Sequence, residues 1–403
     1  MRTTSGMGNE EGLGKTYPTQ ETVSDTNRQA KTGEANQTRE ETVMREAETF
    51  NPHRFFKTSE EVMREAYENI RKYQSGEVLP AKTGYDYLDE AMLGGFRPGQ
   101  AIVIGARPAV GKSYVAQKIV ETVMNPSINP QAGEYLLVNC EFEMNPQDLL
   151  VRRMSREMKR GAADILRRHE VKEAEEKWMR NIVDREIRKN IIYVDSPCTA
   201  KEFEMAVDHV ANKNRHKRMI IFKIDHIALI KRIGMDPKSV IDDTVAVMNE
   251  AKLKYKNVFF FIISQFNREI EGRLKSKLEQ APRQSDFYQS DSLGQLCSVM
   301  IGLHNPRRYG LQEYMTFNKA WYPSLDRFKT VNKTSFRTEG LLFHHVLKTR
   351  GVSLEELTHT IYPEIMPGWG GRYFEGEATF INPEQPPLPP REYNEEEEMT
   401  NPY

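Results

Sequence analysis

The sequence predicts an α/β fold with a mostly parallel central sheet and a polar tail at either end. Between residues 83 and 374, short and nearly continuous apolar runs alternate with longer amphipathic segments. Such runs are typical of strands that are buried on both faces of a sheet by helices. The first run leads directly into a loop that ends in Gly-Lys-Ser, and an amphipathic segment follows at once. A strand, a tight loop and a helix in this order are typical of a P-loop core.

Seven apolar segments are the expected strands, and four amphipathic segments between them are the expected helices. The strands are 101–105, 135–140, 191–195, 219–225, 258–264, 298–303 and 341–347. The helices are 112–124, 146–158, 200–212 and 243–256. The charged stretch 159–189 is also expected to be helical, and 310–338 is expected to form an insertion or a long hairpin.

Composition limits the classes of protein that this chain can represent. Only 38% of its residues are hydrophobic, and 57 basic against 58 acidic residues leave a net charge of −1. This total gives no support for nucleic-acid binding, which would need a local basic surface. The odd, low number of cysteines indicates a reducing compartment. No run approaches the roughly 18 apolar residues of a membrane span, and the N-terminus lacks the apolar core of a secretory signal.

Residues 1–55 are rich in Thr, Glu, Asn, Gln and Gly and predict a disordered polar arm. Residues 56–80 are expected to form a linker with one short amphipathic helix at 60–73, for which Ser59 is the expected N-cap. The core domain is expected to span residues 81–376.

Residues 377–403 combine a proline-rich stretch with the acidic run from Glu395 to Glu398. This composition predicts an extended, disordered and solvated tail. A docking peptide or an arm that mimics DNA is the alternative interpretation.

The loop after the first strand carries the chemistry of phosphate binding. Backbone N–H groups of such a loop surround the β-phosphate, and the helix N-terminus that follows adds partial positive charge. Lys112 is expected to bridge the β- and γ-phosphates, and Ser113 is expected to ligate Mg²⁺. The motif usually begins with Gly, whereas here Gly105 comes one position early. The expected nucleotide-binding residues are Ala106, Arg107, Pro108, Ala109, Val110, Gly111, Lys112 and Ser113.

Acidic residues at the ends of other predicted strands are candidates for holding the metal and activating water. Asp195 and Asp225 each end a strand, where ligands sit in open α/β sheets. Asp225 follows the longer apolar run and is preferred, although Lys223 interrupts that run. Glu141 and Glu143 follow another strand, and either one is a candidate base for the attacking water.

Polar and basic residues follow two later strands. Gln265 ends a buried strand and is placed to sense a γ-phosphate. The next residues form a basic segment that suits contact with a phosphate backbone, although an ordinary solvated loop explains it equally well. Its cations are Arg268, Arg273, Lys275, Lys277 and Arg283. Lys348 and Arg350 end the last strand and suit a γ-phosphate, in this or a neighbouring subunit; a surface pair is the alternative.

In this order, the motifs resemble the C-terminal motor domain of DnaB-type replicative helicases, a family of RecA-like hexameric ATPases. The resemblance covers roughly residues 59–375. The matching segments are Thr83-Gly-Tyr-Asp-Tyr-Leu-Asp89, the loop from Ala106 to Ser113, Glu141-Phe-Glu-Met144, Asp225-His-Ile-Ala-Leu-Ile230, Ser264-Gln-Phe-Asn-Arg268, Lys348-Thr-Arg350 and Arg372-Tyr-Phe374. The family motif Ser-Leu-Glu-Met aligns with residues 141–144, and this selects Glu143 as the base.

The resemblance implies a RecA-like ATPase that uses ATP and Mg²⁺. In that scheme Asp225 holds the metal, and Lys348 and Arg350 act in trans. It also implies a homohexamer that moves 5′ to 3′ on single-stranded DNA and unwinds forked DNA. A primase, a loader or a polymerase is an expected partner. The expected location is the cytoplasm of a bacterium or of a phage-infected host. A filament-forming recombinase and a nucleotide-regulated DNA-binding scaffold are the alternatives.

Two departures from the family pattern concern DNA and partners. Residues 1–55 do not supply the family's helical N-terminal domain of about a hundred residues, a size that folds alone. A motor without that collar suits a virus-encoded replication protein.

The family's DNA-facing motif Ser-Asp-Leu-Arg-Glu-Ser becomes Ser285-Asp-Phe-Tyr-Gln-Ser290 here. Contacts to the DNA backbone are expected from Arg268, Arg273, Lys275, Arg283 and Ser285.

Overall fold

The fold is described by a computed structural model. It covers residues 56–143, 145–158, 162–167, 173–187, 189–194, 196–227, 236–273, 281–288, 290–311, 313–317, 333–338, 340–357 and 360–366. The predicted arm at 1–55 and the predicted tail at 377–403 lie outside these residues, as do Asp195 and Lys275. The chain divides into two compact units, Met1–Val78 and Leu79–Tyr403.

The described part of the first unit, residues 56–78, contains one helix, α1 (Ser59–Gln74), close to the predicted bounds. The predicted N-cap, Ser59, is wrong. Thr58 caps the helix, because its hydroxyl accepts from the backbone N–H of Glu61 while the Glu61 carboxylate accepts from the backbone N–H of Thr58. This reciprocal pairing requires a Glu three residues after the cap, and here Thr58 is followed by Glu61 whereas Ser59 is followed by Val62.

The second unit is built on an eight-stranded, mostly parallel sheet, to which the seven predicted strands all belong. The strands among the described residues are β1 (Ala101–Ala106), β2 (Tyr135–Glu141), β3 (Ile191–Val194), β4 (Met219–Asp225), β5 (Val258–Gln265), β6 (Val299–His304), β7 (Glu313–Phe317), β8 (Lys333–Arg337), β9 (Leu341–Lys348) and β10 (Ile361–Ile365). The order across the sheet is β10-β9-β6-β1-β5-β4-β2-β3. The six strands from β6 to β3 are parallel, whereas β9 runs antiparallel to both of its neighbours.

Helices cover both faces of this sheet. They are α2 (Asp86–Ala91), α3 (Lys112–Val123), α4 (Pro146–Glu157), α5 (Ala162–Leu166), α6 (Glu173–Ile187), α7 (Ala200–Lys213), α8 (Pro237–Lys254), α9 (Glu269–Arg273) and α10 (Ser290–Leu296). One core cluster joins α3 to alternate residues of the central strands, and a second joins α7, α8 and α10 to the residues between them. The near-continuous apolar strands are therefore buried on both sides, as parallel strands require.

One strand of the second unit differs from the sequence prediction. β10 is absent from the predicted strands because Pro363 lies within it, and proline argues against a central strand. The structure resolves this conflict by placing β10 at the edge of the sheet. The predicted hairpin is confirmed in outline, since β7 and β8 form a separate antiparallel pair.

Within the described residues, no helix is both long enough and apolar enough to span a membrane.

A buried polar cluster fastens β10 to α2 and α3. The Tyr85 hydroxyl donates to Glu364 at 2.9 Å, and the Lys118 ammonium donates to the same carboxylate at 2.7 Å. The Nε2 atom of His344 lies 2.9 Å from Glu364 Oε2. Burial alone would raise the pKa of Glu364, but His344 and Lys118 lower it to about 2. The carboxylate is therefore ionised and fully engaged at neutral pH.

We expect Glu364→Gln to lower the free energy of unfolding by about 1–3 kcal/mol at neutral pH, because charge-assisted hydrogen bonds are lost. The folded-state pKa lies below the ordinary value of 4.5. The stabilisation is therefore complete above pH 4.5 and is lost as the pH falls toward about 2. Urea unfolding across this range should show the two proteins converging. Glu204→Gln, which removes an exposed pair with Lys201, is the control and should unfold like the wild type at every pH.

Candidate nucleotide-binding site

Four neighbouring strands end together at one edge of the sheet and carry the predicted site. From β1 to β2 the order is β1, β5, β4 and β2, all parallel. Ala106, Gln265, Asp225 and Glu141 are the final residues of these strands. The carboxyl ends of parallel strands form a ligand site where helices leave the sheet. The sequence-predicted residues of the P-loop, the metal site and the γ-phosphate sensor therefore converge.

The loop between β1 and α3 has the backbone shape that phosphate binding needs. Ala109 has φ 57° and Gly111 has φ 111°, so the chain turns sharply before α3 begins at Lys112. Left-handed residues in such a turn direct successive N–H groups inward. Gly111 suits its position because a residue without Cβ adopts this conformation freely. The helix N-terminus is thus aimed at the centre of the loop.

Gly105, which comes one residue before the expected motif glycine, has a packing role. It lies within β1, and a Cβ atom at this position would overlap the rings of Phe266 and Phe287. These rings pack edge to face with centroids 5.0 Å apart. The sheet end therefore accepts two aromatic side chains only because position 105 carries no side chain.

Ser113 and Asp225 form the predicted metal site. The Ser113 hydroxyl donates to Asp225 Oδ2 at 3.2 Å. Asp225 is 2% exposed, and its Oδ1 atom has no hydrogen-bond partner among the described residues. A buried carboxylate oxygen without a partner needs a cation or a water molecule to satisfy it. Hydroxyl and carboxylate oxygens are suitable partners for hydrated Mg²⁺, so these residues fit the metal that the motif implies.

Lys112 lies inside the loop that it is expected to serve. Its side chain is buried, and its ammonium group donates to the carbonyl oxygen of Arg107 at 3.4 Å. Burial lowers the pKa of Lys112, while the charges of Asp225 and Glu143 act in the opposite direction. The ammonium group is therefore held beside two acidic residues at the site, where a phosphate oxygen can replace the weak carbonyl contact.

The structure distinguishes the two candidate bases. Glu141 is 2% exposed, and its carboxylate accepts a hydrogen bond from Lys223. Glu143 follows β2, and its side chain is 52% exposed and lies 3.9 Å from His226 Nε2. Only Glu143 combines solvent access with proximity to the site, which agrees with the choice that the family resemblance makes.

His226 is a site residue that the sequence reasoning missed. It follows Asp225 through a cis peptide bond, and its Nε2 atom lies 3.0 Å from Gln265 Nε2. Burial lowers the pKa of His226, so the neutral ring is favoured. The side chain thus lies between the predicted sensor and the predicted base. Its position directly after the metal carboxylate was the only signal available in the sequence.

The two segments predicted to face DNA lie side by side. The N–H of Asn267 donates to Asp286 O at 2.7 Å, and the N–H of Tyr288 donates to Gln265 O at 3.0 Å. Arg268, Arg283 and Ser285 are exposed on this paired segment. The Arg273 guanidinium forms an ion pair with the buried Asp286. Arg273 therefore has a structural partner within the segment.

Arg107 links the P-loop to this paired segment. Its guanidinium donates to Glu271 Oε1 of α9 at 2.7 Å and to Phe266 O at 2.9 Å. On the other side of the loop, the Arg308 guanidinium donates to Pro108 O. Arg308 therefore holds the P-loop by a hydrogen bond to the loop backbone. On the other side, Arg107, a residue of the loop itself, anchors the loop to Glu271 and Phe266.

Lys348 and Arg350 lie away from the other site residues. Because β9 is antiparallel, Lys348 pairs with Met300 near the start of β6, whereas Phe343 pairs with His304 at its end. Met300 and His304 are four residues apart on β6, which is about 13 Å at roughly 3.3 Å per residue. Lys348 donates to Gly294 O, and Arg350 donates to Gln295 O, near the end of α10. The pair stands at the sheet edge opposite its own P-loop.

Residues 81–328, more than half of the chain, match the DnaB-like helicase C terminal domain family. The chain belongs to this family. It is 23% identical over 230 residues to the replicative DNA helicase DnaB of Buchnera aphidicola subsp. Baizongia pistaciae, covering 56% of this chain and 47% of that protein. The chain spans about half the length of the curated relatives that it matches.

Two solved structures share the fold of this DnaB-like domain. One, described as an ATPase domain, superposes with a TM-score of 0.54 at 16% identity, covering 76% of this chain and 94% of that one. The other, a DnaB-like replicative helicase described with its interactions with primase, superposes with a TM-score of 0.53 at 16% identity. That match covers 73% of this chain and 62% of the other. The RecA-like fold that the sequence predicts is thereby confirmed.

We expect Gly105→Ala to lower the free energy of unfolding by about 1–3 kcal/mol, because a methyl group there forces the Phe266 and Phe287 rings apart. Urea unfolding measures this loss. Gly133→Ala is the matched control, since a Cβ at position 133 meets no atom within 4 Å. Equal stability of both variants would contradict the packing role of Gly105.

Proposed function

We propose that this protein is an ATP-dependent replicative DNA helicase. In this proposal it forms a homohexameric ring that moves 5′ to 3′ along single-stranded DNA and unwinds the duplex ahead of it. The observation that carries the proposal is the convergence of Lys112, Ser113, Asp225, Glu143 and Gln265 at one sheet edge within a DnaB-like domain. The 5′ to 3′ direction and the hexamer follow from family membership.

ATP hydrolysis is assigned to residues at the carboxyl edge of the sheet. Backbone N–H groups of the loop 106–113, in which Pro108 has no N–H to donate, bind the β-phosphate, and Lys112 neutralises charge on the β- and γ-phosphates. Ser113 and, through water, Asp225 would hold Mg²⁺, which would supply positive charge to the phosphates when bound. Glu143 accepts a proton from the attacking water, and Gln265 contacts the γ-phosphate. His226 Nε2 accepts a hydrogen bond from the Gln265 amide and so orients Gln265, while the ring lies beside Glu143.

Completion of the site is assigned to a neighbouring subunit. Lys348 and Arg350 are about 13 Å along the sheet from the edge that carries their own P-loop, by the strand spacing of roughly 3.3 Å per residue. Cations at that distance do not reach a γ-phosphate in the same subunit. In a ring they can face the nucleotide of the next subunit, as an arginine finger does. This arrangement makes hydrolysis depend on assembly.

DNA contact is assigned to the paired segment that follows β5. Arg268, Arg283 and Ser285 are exposed there, Arg273 supports the segment, and Lys275 lies outside the described residues. Cations at these positions favour binding to the phosphate backbone without reading sequence. Arg107 and Glu271 join this segment to the P-loop. This contact supports the proposal that hydrolysis depends on DNA. A primase is a proposed partner, because one structural neighbour is described with primase.

We expect Lys112→Ala to reduce ATP hydrolysis at least about 100-fold, because charge developing on the phosphates loses its main cation. Turnover and strand displacement from a forked duplex should be measured together, on forks whose only free tail is 5′ or 3′. The proposal expects displacement by the wild type from the 5′-tailed fork alone. DNA-stimulated hydrolysis without displacement, together with helical filaments in electron micrographs, would instead indicate a recombinase.

We expect Arg350→Ala to lower hydrolysis by about a thousandfold or more while nucleotide binding persists, as for loss of an arginine finger. Mixing this variant with Glu143→Gln subunits should restore part of the turnover. A one-to-one ring has about one quarter of its interfaces with both groups intact. A mixture of Lys112→Ala with Glu143→Gln is the control, since both changes affect the same site. Failure of the first mixture to recover activity would exclude action in trans.

A further inference from the structure

Two charged residues interrupt the apolar strands of the sheet and meet beside the metal carboxylate. Lys223 lies within β4, and Glu141 is the last residue of β2. Their side chains are 2% and 1% exposed. Charged groups are rarely this deeply buried unless they are paired. Glu141 also departs from the family motif Ser-Leu-Glu-Met, which has Ser at this position.

Strand register brings these residues onto the same face of the sheet as Asp225. Lys223 pairs with Asn139, and Asp225 pairs with Glu141, on the adjacent parallel strands. Residues two apart on a strand share a face, so the four side chains form one group. Lys223 Nζ donates to Glu141 Oε1 and lies 3.8 Å from Asp225 Oδ2.

The two oxygens of Asp225 are therefore not equivalent. Oδ2 is the atom that both Lys223 and the Ser113 hydroxyl approach. Oδ1 has no hydrogen-bond partner among the described residues. A cation and a hydroxyl on one oxygen fix the rotation of the carboxylate and leave the other oxygen free for a ligand.

A purely structural role does not account for this arrangement well. The desolvation cost of a buried ion pair usually cancels most of its attraction, so such pairs contribute little net stability. Glu141 and Lys223 also cancel each other's charge, so the site keeps the single negative charge of Asp225. What the pair supplies is a fixed cation at a defined distance from one carboxylate oxygen.

We propose that Lys223, held in place by Glu141, is a positioning residue that orients Asp225 toward the Mg²⁺ ion accompanying the nucleotide. The inference rests on the proposed function only in requiring that the site bind nucleotide with Mg²⁺. Partners of metal-binding carboxylates commonly influence metal affinity through such orientation.

The test replaces both charged residues with apolar ones, Lys223→Met with Glu141→Leu. This double variant leaves no unpaired charge in the core, and exchanges of this kind are usually tolerated. A fluorescent, slowly hydrolysed ATP analogue should be titrated with MgCl₂, and its binding should also be measured in EDTA. We expect the Mg²⁺ concentration at half-maximal binding to rise about tenfold. Binding in EDTA should stay equal to that of the wild type.

Arg218→Met with Glu134→Gln is the matched control. Arg218 Nε donates to Glu134 Oε2 at 3.0 Å, and these residues directly precede β4 and β2, at the opposite end of the same strands. The control should leave the Mg²⁺ midpoint unchanged. An unchanged midpoint in the Lys223→Met, Glu141→Leu protein would overturn the inference, whereas equal shifts in both variants would show a general effect of strand pairing and overturn it too.

A second variant protects the test against misfolding of the first. Lys223→Gln with Glu141→Gln retains a hydrogen bond between the strands but removes the ammonium group, so the same rise in the Mg²⁺ midpoint is expected. A wild-type midpoint in this variant would overturn the inference. If the wild type itself bound the ATP analogue without any dependence on Mg²⁺, the proposed function would fail, and the inference with it.

Discussion

The parallel alignment of four central strands is the constraint on which this structure depends. Because β1, β5, β4 and β2 run in one direction, their final residues meet at one edge. Each strand brings a different chemical group there: the turn predicted to bind phosphate after β1, the Gln265 amide, the Asp225 carboxylate, and Glu143 two residues beyond the end of β2. The site is therefore a consequence of topology, since a reversal of any one strand would move its group to the other edge.

The antiparallel strand β9 has the opposite effect and places its terminal cations at the other edge of the sheet. It returns the chain across the sheet and leaves Lys348 and Arg350 about 13 Å from the first edge, at roughly 3.3 Å per residue. Helix α10 links this second edge to the segment proposed to contact DNA. It starts just after the segment 281–288 and ends at the carbonyl groups that Lys348 and Arg350 contact.

Buried charge in this domain follows a consistent rule. Glu364 is paired with Lys118 and accepts from Tyr85, and Glu141 is paired with Lys223. Asp286 is paired with Arg273 in the segment after β5. In each case a carboxylate inside the fold has a cation from a different element, so the pairs join separate parts of the chain. Such pairs define the geometry of the contact more than they stabilise the fold.

The sequence by itself determined seven of the eight strands of the sheet and the strand-loop-helix order of the P-loop, and it put Asp225 and Gln265 at strand ends, because apolar runs and turn residues are local signals that each segment carries on its own. It left Glu141 and Glu143 equivalent as patterns, misassigned the N-cap of α1, and missed β10 because Pro363 contradicts a central strand. It also gave no role to Lys223, Gly105 or His226. Only the tertiary structure decided these points, because they depend on contacts between residues far apart in the chain. Strand register puts Lys223 and Glu141 on one face of the sheet, where their side chains meet. Ring packing explains Gly105, and the meeting of three strand ends sets His226 between the predicted sensor and the predicted base.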